Sequence, residues 1–66
     1  MLKILNMVEE INADTTKKHI RAEISVASSS ELVTETANYV FEEASIAWEI
    51  STGKIYGLTG GSWVEQ

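Results

Sequence analysis

The chain reads as a mainly β protein. It is a small antiparallel sheet made of an N-terminal hairpin and a C-terminal three-stranded meander, with a short helix allowed near residues 30–38. Three observations lead there. "HIRAEISVA" alternates Ile20, Ala22, Ile24 and Val26 with Arg21, Glu23 and Ser25, the period of a half-buried strand. Folding residues 2–26 about Asp14 sets apolar residues opposite apolar ones. Two Gly-bearing turns, Thr52-Gly53 and Gly60-Gly61, punctuate the aromatic tail.

In the first hairpin, folding about Asp14 pairs Val8 with Ile20, Ile4 with Ile24 and Leu2 with Val26. The same register places Glu10 against Lys18, a cross-strand charge pair that contributes roughly 0.2–1 kcal/mol. Leu5 and Met7 then fall on the wet face, which makes them candidates for a partner's contact. Leu2, Leu5, Val8 and Ile11 also recur at helical spacing, so residues 2–11 fit an amphipathic helix as an alternative. "NADTT" supplies Asn and Asp for the turn but no Gly, which points to a five-residue loop.

Residues 28–43, "SSSELVTETANYVFEE", carry mixed signals. Ser28 and Glu31 have capping-box spacing, and Leu32, Val33, Thr36, Ala37 and Val40 fit a helical stripe. Most of the intervening residues are weak helix formers, so one or two turns of helix followed by an extended "YVF" is the expectation.

In the meander, a two-residue Thr52-Gly53 turn demands positive φ at Thr52, which its branched side chain resists. A loop of Ser51, Thr52 and Gly53 demands it only at Gly53. That register pairs Trp48 with Tyr56 and Ile46 with Leu58, and the Gly60-Gly61 turn then pairs Leu58 with Trp63. One face therefore gathers Ile46, Trp48, Ile50, Tyr56, Leu58 and Trp63, either as core against the first hairpin or as a platform that a partner reads. Ala47, Glu49, Ile55 and Val64 fall on the other face.

Sixty-six residues make one domain, residues 1–66, too small for a large core. Such domains are usually reinforced by disulfides, metals or oligomerisation. There is no Cys, and the only His, His19, lies beside Lys17 and Lys18, so self-association is the expected reinforcement. A net charge of −5 disfavours nucleic acid, and no apolar run is long enough to span a bilayer. The cations at 17, 18 and 21 read as a strand end facing Glu9 and Glu10. "TGGSW" lacks the spacing and Lys of a phosphate loop, and Glu9-Glu10 and Glu42-Glu43 read as solvated surface. No catalytic, cofactor-binding or metal-ligating residue is assigned, and no small-molecule substrate is expected. The candidate residues are packing or interface ones: Trp48, Tyr56, Leu58, Trp63, Leu5 and Met7.

The segment "SIAWEISTGKIYGLTGGSWVEQ" resembles the end of small structural or accessory proteins of tailed phages and prophages of Gram-positive bacteria. There a strand, a Thr-Gly turn, a strand with Tyr, a Gly-rich turn, a Trp and a final Gln close the chain. "INADTTKKHIRAEISVASSSEL" is similar to the first half of such proteins. In that pattern a Pro follows the equivalent of Glu31-Leu32; here Val33 stands there, which leaves residues 31–43 freer to be helical. The resemblance implies a multi-copy virion or virion-assembly component, made in the host cytoplasm and carried in the particle, that associates with itself or other virion proteins. The alternative is a small acidic phage protein that binds and inhibits a host protein. That reading expects acids on one face, whereas the ten acids are spread along the chain.

Overall fold

Six strands form one open mixed sheet in the computed structural model, which describes residues 1–66. They are β1 (Lys3–Glu10), β2 (Lys18–Val26), β3 (Tyr39–Phe41), β4 (Ile46–Glu49), β5 (Lys54–Thr59) and β6 (Ser62–Glu65). Their order is β1-β2-β4-β5-β6, with β3 also on β2. The mainly β reading, with its N-terminal hairpin and C-terminal meander, therefore holds. The sheet is not wholly antiparallel, because β3 and β4 both run parallel to β2.

The alternation in β2 does what its pattern requires: Ile20, Ala22, Ile24 and Val26 are all at most 1% exposed. With Phe41, Ala47 and Leu58 they form the core on one face of the sheet, here called the inner face. Leu2, Ile4, Leu32, Tyr39, Tyr56 and Trp63 pack around it. The connection from β2 to β4 lies across this face. Trp63 donates its indole N–H to the carbonyl of Val33 at 2.9 Å and meets Phe41 edge to face, ring centres 6.4 Å apart. The opposite, outer face has no such cover.

In the first hairpin Ile4 pairs with Ile24 as expected, but a bulge between Ile4 and Asn6 shifts everything beyond it by one residue. Met7 then faces Ala22, Glu9 faces Ile20 and Glu10 faces His19, while Val8 stands opposite Arg21. A one-residue insertion exchanges the two faces of a strand. Met7 thereby leaves the wet face for the inner one, and Val8 goes the other way. The expected Glu10–Lys18 pair gives way to a loose Lys18–Glu9 contact at 4.0 Å. Residues 2–11 are not helical, and the connection is residues 11–17, longer than five. Asn12 and Asp14 side chains accept from the amides of Asp14 and Thr16 at 2.8 and 2.9 Å, turning the chain without Gly.

The helix allowed near residues 30–38 shrinks to a single 3-10 turn, Ser29–Glu31. Ser28 makes no side-chain cap, and Glu31 accepts from the amide of Ala27 at 2.8 Å instead of closing a capping box. The weak helix formers beyond it prevail. "YVF" is extended, as β3.

β3 and β4 share one edge of β2 in tandem, β3 along residues 18–20 and β4 along residues 23–26. Ser45 closes the gap between them. It is fully buried, its hydroxyl accepts from the amide of Ala22 at 3.0 Å, and it donates to the carbonyl of Glu42 at 2.7 Å. No buried side-chain polar atom is left without a partner.

The β4–β5 register differs from the expected one by one residue. Glu49 pairs with Lys54, Trp48 with Ile55, Ala47 with Tyr56 and Ile46 with Gly57. The loop has residues 50–53, and the Gly53 amide bonds the carbonyl of Glu49 at 2.8 Å with φ +76°. The β5–β6 hairpin follows expectation: Leu58 pairs with Trp63, and Gly60 and Gly61 take φ of +59° and +81°.

Candidate functional site

Cross-strand partners share a face, so the β4–β5 register decides which side chains stand together. Ala47, Glu49, Tyr56, Leu58 and Trp63 point inward. Ile46, Trp48 and Ile55 point outward, joined by Ile50 at the loop and Val64 on β6. The aromatics are thus divided between the faces. The six-residue platform expected from the shorter loop does not form, because Trp48 stands opposite Ile55 and not Tyr56.

The result on the outer face is an apolar strip. Ile46, Trp48, Ile50, Ile55 and Val64 are 37%, 46%, 56%, 41% and 45% exposed. Together they present on the order of 400 Å² of apolar surface, within the range of patches that are often functional on monomers. Gly57 lies between Ile46 and Val64 on neighbouring strands and leaves a trough in the strip. The Gln66 side chain lies over it, close enough that a Cβ at position 57 would meet its amide nitrogen at 3.0 Å. An open recess of about 480 Å³ continues from this trough toward Arg21 and Glu43. Arg21 pairs with Glu23 at 3.1 Å and donates to the carbonyl of Ala44 at 3.1 Å, so the polar rim is fixed by its own contacts.

The remaining candidates are distributed as follows. Leu58 is buried core, and Tyr56 and Trp63 are half-buried on the inner face. Leu5 is the exposed residue of the β1 bulge, and Met7 is exposed at the sheet edge beside it.

Two polar clusters escaped the sequence reading. Glu49 falls inward, only 5% exposed, where it accepts from the Thr52 hydroxyl at 2.6 Å, the Ser29 amide at 2.7 Å and the Tyr56 hydroxyl at 3.1 Å. The Thr52 bond, with those from Ser29 and Tyr56, holds its carboxyl below the usual range despite the opposing effect of desolvation. Burial, and secondarily the bond to Glu49, pushes the Tyr56 phenol up. In the second cluster His19 stands between two carboxylates, with Nδ1 on Glu42 and Nε2 on Asp14 at 2.9 Å. Glu42 first and Asp14 second raise the imidazole above its ordinary value. Asp14 is held well below the carboxylate range, first by the Thr16 hydroxyl and then by His19. Both ring nitrogens are engaged, which leaves neither free for a ligand.

No group of three His, Asp or Glu side chains is placed to hold a metal ion. No helix is long and apolar enough to cross a membrane. Comparison with protein families, with characterised proteins and with solved structures finds no match to this chain.

Proposed function

We propose that this protein works by protein–protein association, in multiple copies, and performs no chemistry of its own. The observation that carries the proposal is the outer-face strip around Trp48. The inner face already holds the core, so the strip is not needed to fold the chain. Trp is the residue most enriched at association hot spots, and here it stands among Ile46, Ile50 and Ile55. Its occupants are further copies of this chain or a neighbouring protein's apolar face. The resemblance of the "STGKIYGLTGGSWVEQ" segment to phage accessory proteins supports a place for that association in a virion or its assembly. The protein would then be made in the host cytoplasm and carried in the particle.

Light scattering on the purified protein, together with its recovery or absence in purified particles, tests the reading. A defined oligomer or a particle-bound protein is expected. Trp48→Thr is expected to keep the β-sheet circular dichroism spectrum and lose association. A folded monomer at high concentration that is also absent from particles refutes the proposal.

A further inference from the structure

β1 is an edge strand of eight residues, "KILNMVEE", whose outward side has no partner. Long, apolar edges are usually protected against pairing with another chain. Here the charges stand only at the two ends and a single bulge lies at Leu5, while Leu5, Met7 and Val8 are 58%, 44% and 60% exposed along the middle. An open recess of about 410 Å³, lined by Ile4, Leu5, Asn6, Met7 and Tyr39, runs beside it.

The strand's charges say what fits there. Lys3 begins it, and Glu9 and Glu10 end it. Laid antiparallel on itself, such a strand brings each basic end to an acidic one. Laid parallel, it brings Glu9 and Glu10 against their own copies. The bulge and the charged ends together then select the register that pairs the whole strand. On the inner face lie Ile4, Met7 and Glu9; on the outer face lie Lys3, Asn6, Val8 and Glu10. Pairs must share a face, and with a bulge at Leu5 in both chains one two-fold arrangement satisfies every position. It sets Met7 opposite the second copy's Met7 on the axis, Asn6 opposite Val8, Ile4 opposite Glu9 and Lys3 opposite Glu10. Leu5 is the unpaired residue on each side, beside the recess.

We propose that β1 pairs antiparallel with β1 of a second copy about a two-fold axis through Met7, joining two sheets into one. This rests on the association reading above and assigns it a second surface, independent of the Trp48 strip. A two-fold contact of this kind uses one patch twice and closes on itself.

The chain has no cysteine, so single-cysteine variants report proximity without background. Directly paired strand residues have Cα separations of about 4.5–5.5 Å, inside the span a disulfide bridges. Met7→Cys is expected to form a disulfide-linked dimer under mild oxidation, while Thr15→Cys in the 11–17 loop is not. A charge-swap set gives a second readout by sedimentation equilibrium. Lys3→Glu and Glu10→Lys each place like charges at both ends, and are expected to weaken the dimer about tenfold. The double variant Lys3→Glu/Glu10→Lys restores it, and mixing the two single variants yields the heterodimer. If Met7→Cys does not fold, the charge-swap set decides alone. A protein that associates, yet shows no Met7 cross-link and no response to the charge swaps, overturns the β1 pairing and leaves the association reading standing. A wild-type monomer at high concentration overturns the pairing as well, and then the association reading loses its solution support.

Discussion

Exchanging bulk between the two sides of β4 tests the face assignment directly. Ala47 is fully buried between Ile24 on β2 and Tyr56 on β5. It lines none of the open recesses, so Ala47→Leu has no void to fill and must displace its neighbours. Overpacking of this kind costs about 1–3 kcal/mol. A domain of 66 residues is stable by roughly 3–10 kcal/mol at the usual value per residue. With a urea dependence near 1 kcal/mol/M for a small chain, the midpoint falls by about 1–3 M. Trp48→Thr on the outer face keeps a β-branched residue in the strand but gives up the covered half of the indole, and costs about 1–2 kcal/mol. Urea unfolding followed by circular dichroism at low protein concentration, where association does not contribute, measures both. A neutral Ala47→Leu together with a Trp48→Thr loss of about 3 kcal/mol or more would refute the register, because that pattern belongs to the loop of Ser51, Thr52 and Gly53.

Phe41→Ala removes the side chain that bridges β2 and Trp63, and at 4% exposure it is expected to cost about 3–5 kcal/mol. That is a third or more of the stability given above, and the urea midpoint falls by about 3–5 M. Gly53→Ala has no steric contact to meet but must hold φ +76°, so a loss of about 1–2 kcal/mol is expected in thermal or urea unfolding. The His19 cluster makes stability depend on pH. The imidazole is raised above its ordinary 6.5, so its contribution is complete below that pH and fades as pH rises through the raised value. Asp14 is lowered from 3.8, so its contribution is complete above that pH and fades as pH falls. Urea midpoints should therefore be highest between about pH 4 and 6.5. His19→Gln should flatten the alkaline side; an unchanged decline there removes the imidazole as its cause.

Local chemistry in the sequence was sufficient for some elements and silent on others. The inner face of β2 followed from alternation alone, and the β5–β6 pairing followed from Gly60 and Gly61, whose turn demands positive φ at both positions. The β1 bulge had no such marker, because Leu5 adopts it without Gly. At the β4–β5 turn the backbone criterion did not discriminate, since Gly53 takes positive φ at the end of either a three- or a four-residue loop. What selects the longer loop is distant: Ala47 packs inside against Ile24, and Glu49 finds Ser29, Thr52 and Tyr56. Trp48 stood out as a large aromatic, but its outer-face neighbour Ile55 depended on that register. The pairing of His19 with Glu42, across a separation of 23 residues, left no trace in local pattern.

The tandem seating of β3 and β4 on β2 has a consequence for the chain as it leaves the ribosome. β1 and β2 can meet once the first 26 residues have emerged, but a lone two-stranded hairpin is marginal in water. The other edge of β2, carrying Ile24 and Val26, stays open until Glu49 appears roughly two dozen residues later. At about 5–20 residues per second, that is one to five seconds of exposed strand. Ser45 and β4 close that interval, and the tail that follows them completes a sheet already begun.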